Sequence, residues 1–283
     1  GIPSIMKGLK YVHENYASLP LETLIDPAIR LAESEVRVHS LWERTLELFE
    51  HRLGDEARKM FVPDGVKLKE GDRLRQPELE KTLKTIRDNG FEDVYTGEIA
   101  DAIIDTVKAH GGIMNHQDLI NYDVRIEEPL WSSYRGYDIA LPVPPSSGGI
   151  GTAMQLKILE QLDISQYEAH SAEKYHLIAQ ALQLAMADDA KYIEDTNFKP
   201  APLDGLLHED YIKERLGQMS ADRNAEEKTA GNPWKYQKDR HSEQEHKVSA
   251  DNEGLETTHF TAVDQWGNIA ACTTSIERIY GSG

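Results

Sequence analysis

The chain has 283 residues, 39% of them hydrophobic and 28% charged, with 49 acidic against 31 basic side chains and a net charge of −18. That balance belongs to a folded, water-facing chain rather than a disordered or membrane-embedded one, and no stretch approaches the roughly 20 apolar residues of a membrane span. So acidic a surface repels phosphate backbones and anionic lipid, which argues against nucleic-acid or membrane partners.

The first two-thirds reads as helical. Ile5, Leu9, Val12 and Tyr16 recur at three- and four-residue steps and predict one buried face of a helix. The opening GIPSIMKGLK shows no charged-apolar-small leader pattern. Leu79, Leu83 and Ile86 follow Pro77, a residue suited to a first helical turn. Ile99, Ile103, Ile104 and Val107 form another stripe, stopped by Gly111 and Gly112. A short strand is expected over Tyr137–Leu141, running into Pro142, Pro144 and Pro145. Ser146-Ser147-Gly148-Gly149 then predicts a capped, tightly turned start to a helix carrying Ile150, Met154, Ile158 and Leu162. Strand, Gly-rich turn and helix resemble a phosphate-binding layout, but neither a GxGxxG order nor a Lys-Ser/Thr pair follows. The longest helix is led by Ser171, with Tyr175, Ile178, Ala179, Leu182, Ala185 and Met186 predicted on its packed face.

From about Ala221 to Glu256 the chain turns polar and nearly free of aliphatic residues, and is expected to be an exposed, mobile linker. Its His241 and His246 lack a coherent set of partners and read as solvated rather than metal-ligating. The period then switches to two. Thr258, Phe260 and Ala262 alternate with His259, Thr261 and Val263; Asp264 to Asn268 supply turn residues, and Ile269 to Ile276 form a second strand. The single cysteine, Cys272, excludes an intrachain disulfide and a Cys-based zinc site, and is expected as a small core residue. A two-stranded hairpin is marginal alone, so further sheet is expected beyond Gly283.

A threonine hydroxyl needs a base before it can attack an amide. One solution makes the threonine the first residue of a chain, so that its own freed α-amine accepts the proton. With a reference pKa of roughly 7.7–8.0, that amine is partly unprotonated near neutral pH. Such a threonine must lie within a precursor, at a strand start, after a segment able to leave once cut. Glu256-Thr257-Thr258-His259 has this setting.

The run TTHFTAVDQWGN, from Thr257 to Asn268, resembles the small-subunit start of the gamma-glutamyltransferase family, a Thr-Thr-His-aromatic-x-x-Val-Asp-x-x-Gly-Asn pattern. GIPSIMKGL, DPAIRLAE, QPELEKTLKTIRDNGFEDVYTGEIADAI, GGIMNHQDLINYDV and YRGYDIALPVPPSSGG are similar to further family segments and fall in family order.

The resemblance implies a partial four-layer α/β/β/α sandwich of the N-terminal-nucleophile hydrolases, of α+β class: a mostly helical large-subunit portion over 1–256 and the start of a small subunit over 257–283. It implies self-cleavage of the Glu256–Thr257 bond, then acyl transfer from a gamma-glutamyl-type amide to Thr257 and on to water or an amine, without metal or organic cofactor. The family's second hydroxyl falls on Ser275, where threonine is usual. Glu277 stands where the family often has an asparagine that helps hold the substrate's α-amino and α-carboxylate groups. An ionised carboxylate there would hold an ammonium but repel a carboxylate, which puts a glutathione-type substrate in question and makes a glutaryl or cephalosporin acylase the alternative. A non-catalytic, never-processed relative is a further alternative. The family's carboxylate-binding arginine is expected upstream of Gly1, and its oxyanion-hole glycines beyond Gly283, so residues 1–283 alone are expected to be inactive. The family carries no base role for His259, expected as a packed or hydrogen-bonded residue. A periplasmic or secreted location follows from the resemblance, with the cytoplasm as alternative.

Overall fold

The computed structural model describes residues 2–221, 228–238, 257–276 and 279–281. They fall into two compact units, one of Gly1–Arg125 with Asn252–Gly283, the other of Ile126–Asp251.

In the first unit the order is α1 (Ile5–Tyr16), α2 (Leu21–Glu33), β1 (Val36–Arg37), α3 (Ser40–Phe49), α4 (Asp55–Phe61), β2 (Arg73–Leu74), α5 (Pro77–Asn89), α6 (Asp93–Thr96), α7 (Glu98–Ala109) and α8 (His116–Asn121). Pro77 opens α5 as expected, and α7 ends just before Gly111, whose φ of 79° suits glycine. Gly97 is required for a different reason. A side chain there would collide with the buried Asp93 carboxylate, which accepts from Ile99 N at 3.0 Å and so caps α7 from outside it. Asn115 and Asp118 close a capping box on α8.

Two clusters make the core of this unit. Ile86, Val94, Tyr95, Ala100, Ile104 and Leu119 form one; Val38, Leu46, Leu53, Val62, Leu68 and Leu74 form the other, joined by Trp42, Phe61 and Tyr280. The stripe of Ile5, Leu9, Val12 and Tyr16 is helical but exposed, which corrects the expectation that it is core. α1 is held instead by its other side: Met6 packs on the first cluster, and Tyr95 Oη donates to Pro3 O while accepting from Lys7 N.

The second unit begins with β3 (Leu130–Tyr134) and β4 (Tyr137–Leu141), joined by a two-residue turn. Arg135 and Gly136 both have positive φ, 50° and 83°, the twist that suits such a hairpin. β3 was not expected from the sequence. α9 (Ser147–Glu160), α10 (Ala172–Tyr192), α11 (Leu203–Leu206) and α12 (Glu209–Leu216) follow. The tight start of α9 is present, since a side chain on Gly149 would meet Pro142 O at 1.9 Å, but Ser146 makes no capping bond. Ser171 does cap α10, accepting from Lys174 N at 3.2 Å.

The packed face of α10 is turned from the expected one. Tyr175, Leu182 and Met186 are exposed, while Leu177, Gln180, Ala181, Leu184, Ala185, Asp188 and Tyr192 are buried. Two polar residues sit on the buried face because each finds partners. Gln180 exchanges hydrogen bonds with Ser220, and Asp188 lies 3.0 Å from Arg215 Nε and accepts from Gly231 N at 2.8 Å. The same contacts correct part of the linker expectation. Pro233 and Trp234 are buried, the latter with Ile150, Met154, Tyr192 and Tyr211. Residues 222–227 and 239–256 lie outside the described residues, His241 and His246 among them.

The last pair, β5 (Thr257–Val263) and β6 (Ile269–Ser275), belongs to the first unit. Among the described residues the strands form three separate antiparallel pairs, β1–β2, β3–β4 and β5–β6, beside twelve α-helices. This is the expected helix-rich α+β piece ending in a hairpin. No helix among the described residues is long and apolar enough to cross a membrane.

Candidate active site

The hairpin that carries Thr257 is set by its turn. Asp264 accepts from Asn268 Nδ2 at 2.7 Å and from the backbone N–H groups of Trp266 and Asn268, each at 2.9 Å. Gly267 completes the reversal with a φ of 86°. The Asn268 side chain and these amides hold the Asp264 carboxyl below its ordinary range. With residues 264–268 in the turn, Val263 pairs with Ile269, and every later pair follows: His259 with Thr273, Thr257 with Ser275.

Alternation then gathers hydroxyls on one face. Thr257 Oγ1 donates to Ser275 Oγ at 3.3 Å. One step along, His259 Nδ1 lies 2.8 Å from Thr273 Oγ1, and its Nε2 lies 3.1 Å from Thr261 Oγ1. A neutral imidazole can donate to one hydroxyl and accept from the other, so both ring nitrogens are engaged along the strand pair. Of the packed or hydrogen-bonded histidine expected, the structure shows the hydrogen-bonded one, on an exposed strand. The other face carries Phe260 opposite Cys272, which is half-buried rather than fully in a core. Every residue of β5 is exposed.

The structure therefore brings Thr257 and Ser275 together. Glu256 and Glu277 lie outside the described residues. Thr273 was missed in the sequence, although it could have been found: once the turn is placed at 264–268, the period of two puts Thr273 opposite His259. A groove of about 640 Å³ in the first unit, lined by Met60, Leu68, Leu74, Arg75, Pro77 and Leu79 among others, includes no hairpin residue. Among the described residues no group of three or more His, Cys, Asp or Glu side chains is placed to hold a metal ion.

What this face can do chemically is limited but definite. A threonine hydroxyl at a strand start has its proton directed to a neighbouring hydroxyl, which orients the oxygen lone pairs away from that neighbour. In the uncut chain the nitrogen of Thr257 is an amide and cannot act as a base. Were the bond to residue 256 cut, that nitrogen would be an amine two bonds from the carbon that carries the hydroxyl.

The profile of the family described as Gamma-glutamyltranspeptidase matches residues 1–283. The chain is 42% identical over 284 residues to the Glutathione hydrolase proenzyme of Bacillus subtilis (strain 168), covering 100% of this chain and 48% of that one. It is 32% identical over 286 residues to the Acylase ACY 1 proenzyme of Pseudomonas sp. (strain SE83), covering 99% and 48%. Among solved structures it is similar to Helicobacter pylori gamma-Glutamyltranspeptidase, with a TM-score of 0.75 and 32% identity over 79% of this chain and 65% of that one. The chain spans about half the length of the curated relatives it matches. The structural likeness makes the fold that of a part of an N-terminal-nucleophile hydrolase.

Proposed function

Because the chain belongs to the gamma-glutamyltranspeptidase family, we propose that it carries the nucleophile of a self-processing amidase, with Thr257 as that nucleophile and Ser275 as the hydroxyl that orients it. The observation that carries this reading is the 3.3 Å hydrogen bond from Thr257 to Ser275 across a register pair.

The first reaction is internal. Thr257 Oγ attacks the carbonyl carbon of Glu256 and gives up its proton. The C–N bond to Thr257 then breaks, its nitrogen taking a proton, and Glu256 is left as an ester on Oγ. Water hydrolyses the ester, returning the hydroxyl and leaving a Glu256 carboxylate. The division is covalent, 1–256 from 257 onward, and does not follow the two compact units. The new α-amine, with a reference pKa of roughly 7.7–8.0, then serves as base for the same oxygen. In each later cycle Thr257 takes the acyl group of a gamma-glutamyl-type amide, releases its amine, and passes the acyl group to water or a second amine. The glutathione hydrolase and acylase relatives, both named as proenzymes, support this sequence of events.

Glu277 is proposed as a substrate contact. As a carboxylate it would attract the α-ammonium of a glutamyl donor and disfavour its α-carboxylate. A glutaryl group has no ammonium to offer. The second reading, a glutaryl or cephalosporin acylase, is favoured by the likeness to the ACY 1 proenzyme.

The test is the intact mass of the full-length protein, with N-terminal sequencing of its fragments. A fragment beginning Thr-Thr-His-Phe is expected, and Thr257→Ala is expected to stay uncut. A wild-type chain that stays whole over days at neutral pH would overturn the assignment of Thr257.

A further inference from the structure

β5 and β6 pair with each other and present an exposed surface, and a lone two-stranded hairpin is marginal in water. Among the described residues beyond 256, Tyr280 is the side chain that joins a buried cluster. Its ring centroid lies 5.6 Å from that of Phe61, which lies 5.5 Å from Trp42, so three rings stand in a row on the cluster of Val38, Leu46 and Val62. We propose that Tyr280 is a positioning residue for the Thr257 nucleophile, its ring seating the end of the hairpin on Phe61. The proposal rests on the reading of Thr257 given above.

Three features of Tyr280 point the same way. Its φ of 67° is a left-handed conformation that a bulky residue rarely adopts, and such backbone persists where the surroundings over-determine it. Its Oη is buried without a hydrogen-bond partner, so the packed ring rather than the hydroxyl accounts for its place. That burial pushes the phenol up to about 12, which keeps it neutral and unsuited to acid–base work near pH 7. The consequence for the reaction follows from the cut. Once the bond before Thr257 is broken, the hairpin has lost its covalent tie to the residues that precede it. The seat of Tyr280 on Phe61 joins the two products within one compact unit and fixes where β6, with Ser275, stands against them.

The full-length protein, Tyr280→Phe, Tyr280→Leu and Tyr280→Ala are compared for self-cleavage rate, for kcat and KM on a gamma-glutamyl anilide per titrated nucleophile, and for thermal midpoint. Tyr280→Ala is expected to slow self-cleavage and kcat by roughly tenfold or more, as small misplacements of reacting groups do, with KM near the wild-type value. Tyr280→Phe is expected to recover both rates. If Tyr280→Ala unfolds, Tyr280→Leu and Phe61→Leu, singly and together, carry the test, and their effects on kcat are expected to be non-additive. Wild-type rates in Tyr280→Ala, a Phe variant as poor as the Ala variant, additive Leu effects, or a loss confined to folded fraction or KM would each overturn the proposal. A wild-type chain that never cuts itself would remove the Thr257 reading and this one together, whereas a cut wild type with an equally competent Tyr280→Ala would remove this one alone.

Discussion

The hydrogen bond from Thr257 to Ser275 is long enough, at 3.3 Å, to be a modest one, and its net worth is that of an ordinary neutral pair, about 0.5–1.5 kcal/mol. Ser275→Ala is therefore expected to slow self-cleavage by about two- to twelvefold rather than abolish it, and Ser275→Thr to restore it. A time course of precursor loss on denaturing gels checks both. The pattern of the motif places these two residues, and the register explains why they meet: the turn at 264–268 pairs position 257 with 275. Glu277 has a separate consequence. Replacing it with asparagine is expected to shift the ratio of gamma-glutamyl to glutaryl anilide hydrolysis toward the glutaryl substrate, because both acyl groups end in a carboxylate that Glu277 would repel but only the gamma-glutamyl one has an ammonium for it to attract. An unchanged ratio would take Glu277 out of the substrate site.

At the scale of elements, the β5–β6 turn is governed by one carboxylate. The Asn268 side chain and neighbouring backbone amides lower the Asp264 pKa from its ordinary 3.8. A lowered acid contributes stability that is present above the unfolded value and is lost as pH falls through the folded one. The Asp264 carboxyl is thus expected to titrate below 3.8 by carbon NMR, and Asn268→Ala to move it back toward that value. Five of the helices, α1, α5, α7, α9 and α10, were legible as far as their existence, and so were several ends. Pro77, Ser171 and Gly111 act locally, through φ or a cap, and local chemistry is written in adjacent residues. Which face a helix buries is not local. The apolar stripe of α1 is exposed and the buried face of α10 includes Gln180 and Asp188, because burial depends on partners far along the chain: Ser220 and Arg215 for α10, Tyr95 for the start of α1.

At the scale of the whole molecule, the second unit is tied by a fully buried ion pair. Asp188 and Arg215 lie 3.0 Å apart, and the Arg215 guanidinium also donates to Leu184 O and Gln218 Oε1. Desolvation pushes the Asp188 carboxyl up, opposed by Arg215 and the Gly231 N–H. Removing one partner leaves a buried charge uncompensated. Arg215→Met is expected to cost the unit about 3–5 kcal/mol, and Asp188→Leu added to it to recover a large part. Hydrogen exchange on the full-length protein checks this, with protection expected to fall first across 130–221 and 228–236. Trp234 and Gly231 show why the stretch after 221 was only partly readable. Its polar composition is that of a linker, yet two anchors, one aromatic and one a backbone amide, pack it on α10 and α12. The sequence by itself determined the helix-then-hairpin order, the turn residues at 264–268 and the family resemblance, since these depend on periodicity and motif. The tertiary structure alone decided which helix faces are buried, how the polar stretch is anchored and where the ring of Tyr280 rests. Those depend on contacts between residues tens to hundreds of positions apart, for which no local pattern of side chains is a sufficient code.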